Sequence, residues 1–165
     1  MDIREIQHSD AEKLADLMQQ VDESSQYMLW EAGERKITTE GSQKMITGIL
    51  ESRNSNLFVA EDNGKLMGYL LAIGGNAKRN KHAAYLVIGI HSECRGKGVG
   101  TLLFNEVERW AMDQNVHRLE LTVVTQNEAG LSLYRKMGFE IEGTKRDSLL
   151  IDDKYVDEYY MSKLL

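Results

Sequence analysis

Cys94-Arg95-Gly96-Lys97-Gly98-Val99-Gly100-Thr101 packs three glycines and two cations into eight residues. An apolar strand-like run ends just before it and an amphipathic helical pattern begins inside it. A helix N-terminus leaves about four backbone N–H groups without intrahelical partners, and the macrodipole adds positive potential there. Glycine lets the backbone approach an anion closely, because no Cβ intervenes. With Arg95 and Lys97 as mobile charge, the segment reads as a phosphate-binding device. A Walker A loop, Gly-x-x-x-x-Gly-Lys-Ser/Thr, is absent. A dinucleotide fingerprint, Gly-x-Gly-x-x-Gly, fails twice: Thr101 stands where a count from Gly96 needs glycine, and Leu103 where a count from Gly98 needs it. Both nucleotide readings are weak, and the turn alone leaves a different phosphate-bearing ligand or no ligand in play.

The elements that must hold this turn alternate in period. Asp2 to Gln7 reads as a short strand. Ser9-Asp10-Ala11-Glu12 matches a capping box, and Leu14, Leu17, Met18 and Val21 follow at helical spacing. Asp22 to Ile37 has no period. A second helix is expected from Thr38 or Thr39, with Met45, Ile46, Ile49 and Leu50 inward. Leu57–Ala60 and Lys65–Ile73 flank Asp62-Asn63-Gly64, a strong hairpin signal. Ala83–Ile90 is apolar nearly throughout, which predicts a central strand, with Gly89 hinting at a bulge. After the turn, a helix from Val99 to Asp113 should bury Val99, Leu102, Leu103, Val107, Trp110 and Ala111. Arg118–Val124 is a strand, Asn127–Met137 a helix ending at an αL Gly138. Phe139–Glu142 and Tyr155–Met161 are the last strand regions, with a turn around Asp152-Asp153. The alternation predicts a mixed α/β domain over residues 1–165.

Composition narrows the function. The chain has 165 residues, 42% hydrophobic and 28% charged, as expected of one soluble domain. No apolar run approaches the roughly 18 residues of a membrane helix. Met1-Asp2-Ile3-Arg4-Glu5 carries no apolar signal core, so a cytoplasmic location and no membrane partner are expected. A single cysteine and four scattered histidines offer neither a disulfide nor a metal cage. The net charge of −6, without a basic stripe, points away from nucleic acid and mildly toward a cationic partner.

Arg95-x-x-Gly98-x-Gly100 resembles the Arg/Gln-x-x-Gly-x-Gly/Ala signature of the GNAT acetyltransferase superfamily. Asn127-Glu128-Ala129-Gly130-Leu131-Ser132-Leu133-Tyr134-Arg135-Lys136-Met137-Gly138-Phe139 independently resembles that family's Asn-x-x-Ala-x-x-Leu-Tyr-x-x-x-Gly-Phe pattern. Gly130 departs from the usual alanine and should loosen the helix by about 1 kcal/mol. The resemblance covers nearly the whole chain. It implies a single GNAT domain: a mixed, mostly antiparallel sheet of six to seven strands with about four helices, its strands splayed near Ile88–Ile90. It implies acetyl-CoA as cosubstrate, no metal, and a homodimer. Backbone amides of Arg95, Gly96, Lys97, Gly98, Val99, Gly100 and Thr101 would bind the pyrophosphate. Ile88 and Ile90 would pair with the pantetheine arm, Asn127 would hydrogen-bond it, and Tyr134 would stand beside the sulfur and protonate the leaving thiolate.

The expected reaction is direct attack by an amine on the acetyl carbonyl, with a small-molecule amine or a protein amino group as acceptor. A backbone N–H near Ile88–Ile90 would polarise the carbonyl. For the base, Glu120 is the leading carboxylate, with His91 and a water chain as rivals. Thr122 shares a face with Glu120. Cys94 as an acyl-accepting nucleophile with His91 as its base is disfavoured, since a lone cysteine is more often inert. Acceptor contacts are expected from Tyr27, Trp30, Glu31 and Glu34, and from Tyr155 and Asp157. A non-catalytic acyl-CoA sensor is the competing reading; retention of Tyr134 argues against it.

Overall fold

The Asn63-Gly64 pair sets the first register. Both residues have positive φ, 49° and 80°, as a two-residue turn matched to the strand twist requires. The turn joins β2 (Asn56–Asp62) to β3 (Lys65–Gly74) in a computed structural model that describes residues 1–165. β1 (Asp2–Glu5) and β4 (Ala83–Ile90) flank this hairpin, and β5 (Arg118–Val124), β6 (Glu140–Ile151) and β7 (Lys154–Leu164) complete the sheet. Its strand order is β1-β2-β3-β4-β5-β7-β6. Every pairing is antiparallel except the short parallel contact of β4 with β5. The expected mixed sheet has seven strands.

Helices α1 (Ala11–Ser24) and α2 (Thr39–Glu51) cover one face. Leu14, Leu17, Val21, Ile46 and Ile49 pack there on Leu57, Val59, Tyr69 and Leu71. Helices α3 (Val99–Asp113) and α4 (Glu128–Lys136) cover the other. Val99, Leu103, Phe104, Val107 and Tyr134 meet Phe58, Leu70, Leu86, Leu119, Leu121 and Met161. Each fully buried aliphatic side chain contributes about 1.5–3 kcal/mol. The α1–α2 cluster takes nothing from β5, β6 or β7, so that face of those strands lies open. No helix is long and apolar enough to cross a membrane.

Several local expectations need correction. The box at the start of α1 is built by Asp10, which accepts from Gln7 N at 2.8 Å, rather than by Ser9 and Glu12. Arg4 grips both oxygens of Asp10 at 2.7 and 2.8 Å, which fixes the carboxylate one turn earlier. Leu50 and Leu102 face solvent, and Phe104 takes the inward position instead. Trp110 lies at the core margin, edge-on to Phe58. β6 and β7 run much longer than their apolar patterns, because backbone pairing across the Asp152-Asp153 turn sustains polar residues at the sheet edge.

Gly89 is not a bulge: β3 and β4 stay in register through Tyr69↔Gly89. A Cβ there would come within 2.4 Å of the Tyr69 ring, so glycine makes room for the phenol. Gly89→Ala should therefore destabilise the protein by about 1–3 kcal/mol through overpacking, read as a lowered midpoint in urea unfolding with an unchanged slope. An unchanged midpoint would show that Tyr69 swings aside freely.

Candidate functional site

β4 and β5 pair only at Ala83↔Arg118, Ala84↔Leu119 and Tyr85↔Glu120. Beyond Tyr85 both strands continue, but β3 holds β4 to its end and β7 holds β5 to its end, and the two diverge. Gly75 N donates to Ala83 O and His91 N to Met67 O, so odd-numbered residues of β4 turn their amides to β3. Alternation then turns the Leu86 carbonyl and the N–H and C=O groups of Ile88 and Ile90 into the split, while the Leu86 N–H closes the last β4–β5 rung on Glu120 O. The Ile90 carbonyl accepts from Arg95 Nε at 3.2 Å. At the apex the Tyr85 hydroxyl and Thr122 Oγ1 meet at 2.8 Å, a side-chain bridge where the backbone ladder stops. An open hollow of about 380 Å³ below it is lined by Ile73, Asn80, His82, Tyr85, Arg118 and Glu120, among others.

The glycine-rich turn follows the end of β4. Gly96 and Gly98 have φ of 73° and 82°, a left-handed backbone that other residues adopt only at a cost. The first backbone bond of α3 is Leu102 N to Gly98 O at 3.2 Å, and none of the N–H groups of Gly96 through Thr101 has a partner within the chain. This array of free amides on a helix N-terminus is an anion cradle. Gly100 answers a different constraint: a Cβ would lie 2.6 Å from Leu133 Cδ2, so α3 packs close on α4 only with glycine there.

The Arg95 side chain is not the mobile charge its sequence position suggests. It donates to Ser24 O at 3.0 Å and Ser24 Oγ at 2.8 Å besides the Ile90 carbonyl, clasping the end of α1 to the end of β4. Lys97 stays exposed. Lys136, which sequence reasoning missed, brings its Nζ within 3.3 Å of Thr101 Oγ1 and supplies a cation beside the cradle. Its place in the last turn of α4, packed on α3, was the only available signal.

Tyr134 lies in the core with its ring edge-on to Phe104, centroids 5.8 Å apart. Its hydroxyl makes no hydrogen bond within the chain yet is not fully enclosed. Burial pushes the phenol up to about 12, with the Tyr85 hydroxyl adding to the rise. Asn127 caps α4, accepting from Gly130 N at 3.0 Å. A Cβ on residue 130 would approach Asn127 Nδ2 to 2.7 Å, so glycine lets the asparagine fold back over the helix end and leaves its amide N–H groups free.

Of the base candidates, Glu120 is tied to Arg118, Nε to Oε2 at 2.7 Å, and Arg118 also holds Glu142 at 2.7 Å. That bond holds the Glu142 carboxyl below its ordinary range and, with the bond to Glu120, raises the arginine. One oxygen of Glu120 remains free beside Tyr85 on the open face. His91 Nδ1 accepts from Glu93 N at 3.3 Å, so the ring serves the turn. Cys94 is buried in the core.

Among the acceptor candidates, Tyr27 is half-buried and its N–H donates to Ser25 Oγ at 3.2 Å. Trp30 lies under the Arg35 guanidinium, 5.8 Å from the ring centroid. Glu34 accepts from Glu31 N at 2.9 Å and closes a turn; both are exposed. Asp157 accepts from Asp147 N at 2.8 Å and shapes a bulge in the β6–β7 hairpin. Tyr155 stands near the hairpin tip, 70% exposed, and is not brought to the split by any contact. No group of three His, Cys, Asp or Glu side chains is arranged to hold a metal ion.

Comparison with known proteins adds independent observations. The family model described as Acetyltransferase (GNAT) family matches residues 15–139. The chain is 34% identical over 110 residues to an L-amino acid N-acetyltransferase of Escherichia coli, covering 64% of this chain and 66% of the relative, just short of two thirds. An acetyltransferase of Yersinia pestis is 27% identical over 84% of this chain and 97% of its own. A GNAT-family acetyltransferase structure from Streptococcus pneumoniae superposes with a TM-score of 0.95 at 31% identity, over 99% of this chain and 98% of that one.

Gly98→Ala should cost about 1–2 kcal/mol of stability through its left-handed φ. By misaiming the amides it should also weaken coenzyme A binding about tenfold, which is about 1.4 kcal/mol. Calorimetric titration measures the second effect; unaltered affinity would exclude the turn from the binding site.

Proposed function

The chain belongs to the acetyltransferase (GNAT) family, and we propose that it transfers an acetyl group from acetyl-CoA directly to a primary amine of a small molecule or a protein. One observation carries the reading: the unpaired amides from Gly96 to Thr101 stand at the end of a strand that has parted from its neighbour. The turn would hold the pyrophosphate, with Lys136 and Lys97 offsetting its charge. The Leu86 carbonyl, both backbone groups of Ile88 and the Ile90 N–H fit the amide groups of a pantetheine arm. This is strand addition into a split that the sheet leaves unpaired.

The chemistry then divides among the chain's own groups. The ammonium loses a proton, the new N–C bond forms, the C–S bond breaks and the thiolate gains a proton. A cleft-facing N–H of β4 polarises the acetyl carbonyl, a contact type worth about 3–4 kcal/mol. Tyr134 donates its proton toward the sulfur. A phenol near 12 is a weaker acid than an ordinary thiol. Complete transfer in water would therefore run uphill. The same apolar surroundings destabilise a thiolate in front of the ring, so the proton is delivered as the C–S bond breaks. The free oxygen of Glu120, or water held by it, takes the proton of the amine on the open face. Asn127 presents its free amide N–H groups to the arm.

Acetyl-CoA should bind in calorimetry, whereas ATP should not; binding of ATP alone would sink the coenzyme A reading. Tyr134→Phe should lower kcat by roughly 100-fold with little change in coenzyme A affinity. Because burial raises the phenol, it stays protonated until close to 12. The kcat profile should therefore show no falling limb between about pH 7 and 10. Unchanged turnover in the phenylalanine variant would refute the acid role.

A further inference from the structure

On the α1 side of β4 a charged cluster remains without a task in this scheme. Asp22, in the last turn of α1, is buried, with its side chain 3% exposed. Arg35, at the far end of the irregular segment after α1, reaches back to it. Its Nε donates to Oδ2 at 3.0 Å and its Nη2 to Oδ1 at 3.2 Å. Trp30 stacks against the same guanidinium. Burial pushes the Tyr69 phenol up to about 12, and the neighbouring Arg35 acts against that rise. The ring of Tyr69 lies over Gly89, between the cleft-facing Ile88 and Ile90. Arg35, Tyr69 and Gly89 thus form a continuous path from the segment to the reactive strand.

We propose that Arg35 is the carboxylate-binding residue of the acceptor site, and that the acceptors are amino carboxylates, free α-amino acids foremost. The proposal rests on the acetyltransferase reading above. The side-on pair with Asp22 occupies one edge of the guanidinium; the other edge, with the Tyr69 hydroxyl nearby, donates to no carboxylate or carbonyl of the chain. That free edge is a planar fork suited to a carboxylate. Asp22 and Trp30 hold its plane, so little rotamer freedom is lost when a ligand binds. The side chain is 28% exposed, enough to be reached from solvent. With the carboxylate on Arg35, the α-amine points along Tyr69 toward β4. A diamine brings a second cation against the guanidinium and is disfavoured. A peptide N-terminus brings no carboxylate next to its amine and leaves the fork unpaired.

The test compares amino acids with their own carboxamides as acceptors, following thiol release from acetyl-CoA by the intact protein. The amine of a carboxamide is less basic and supplies more free base near neutrality, so chemistry alone favours the carboxamide. A preference of roughly tenfold or more in kcat/KM for the acid, set by KM, is expected from a charge-assisted bidentate contact. Arg35→Lys keeps a cation for Asp22 but loses the fork, and should shrink that preference to less than about threefold. Carboxamides or diamines used as well as the acids would overturn the proposal. So would an equal loss by Arg35→Lys on acids and carboxamides, the mark of a purely structural arginine. If no amine releases thiol, the transferase reading falls instead. Calorimetry on the coenzyme A-bound protein then decides the site: an amino acid binding while its carboxamide does not supports it, and equal or absent binding overturns it.

Discussion

Everything at this site depends on two strands that stop pairing. After Tyr85 and Glu120, β4 and β5 keep their outer partners and lose each other. Buried backbone amides without partners cost about 1–3 kcal/mol apiece. Once a ligand shuts water out of the split, the unpaired edge of β4 becomes a demand for amide groups at strand spacing. The Tyr85–Thr122 bridge marks where that demand begins. The cradle at Gly96–Thr101 marks where it ends. On the proposed reading, a donor molecule would be selected along its length by backbone geometry, which substitutions at the surface leave largely untouched.

On the proposed mechanism, the two faces of the sheet divide the chemistry. Tyr134 rises from the α3–α4 side, in a core dry enough to keep its proton in place. Glu120, Thr122 and Tyr85 stand on the opposite face, which α1 and α2 leave open beyond β4. Acid and base functions need different dielectric surroundings, and one sheet covered on one side and bare on the other would supply both.

How much of this was legible in the sequence follows the range of the interactions concerned. The turn, the helix from Val99 to Asp113, the strand from Arg118 to Val124 and the Asn63-Gly64 hairpin are set by neighbours in the chain, and local pattern located them. The inward place of Phe104, the solvent-facing Leu102 and the full length of β6 and β7 are set by partners far along the chain. Gly89 carried a true signal with the wrong cause: the sequence marks a glycine, but only the fold reveals the Tyr69 ring above it. Arg95 was recognised as part of the turn, while its side-chain role needs Ser24, 71 residues away. Lys136, Asp22 and Arg35 went unnoticed because charged residues on helices and loops look alike until burial and pairing single them out.

The clasp made by Arg95 ties together the proposed donor turn and the segment proposed to hold the acceptor. One guanidinium holds the end of β4, belongs to the turn proposed to cradle the donor, and grips Ser24, where the segment bearing Trp30 and Arg35 begins. A shift of the turn on binding would be transmitted through that side chain to the segment. Thermodynamic linkage makes such coupling mutual: whatever the first ligand does to the affinity of the second, the second returns to the first. On the proposed reading, donor and acceptor would each find the other's site altered through this one side chain.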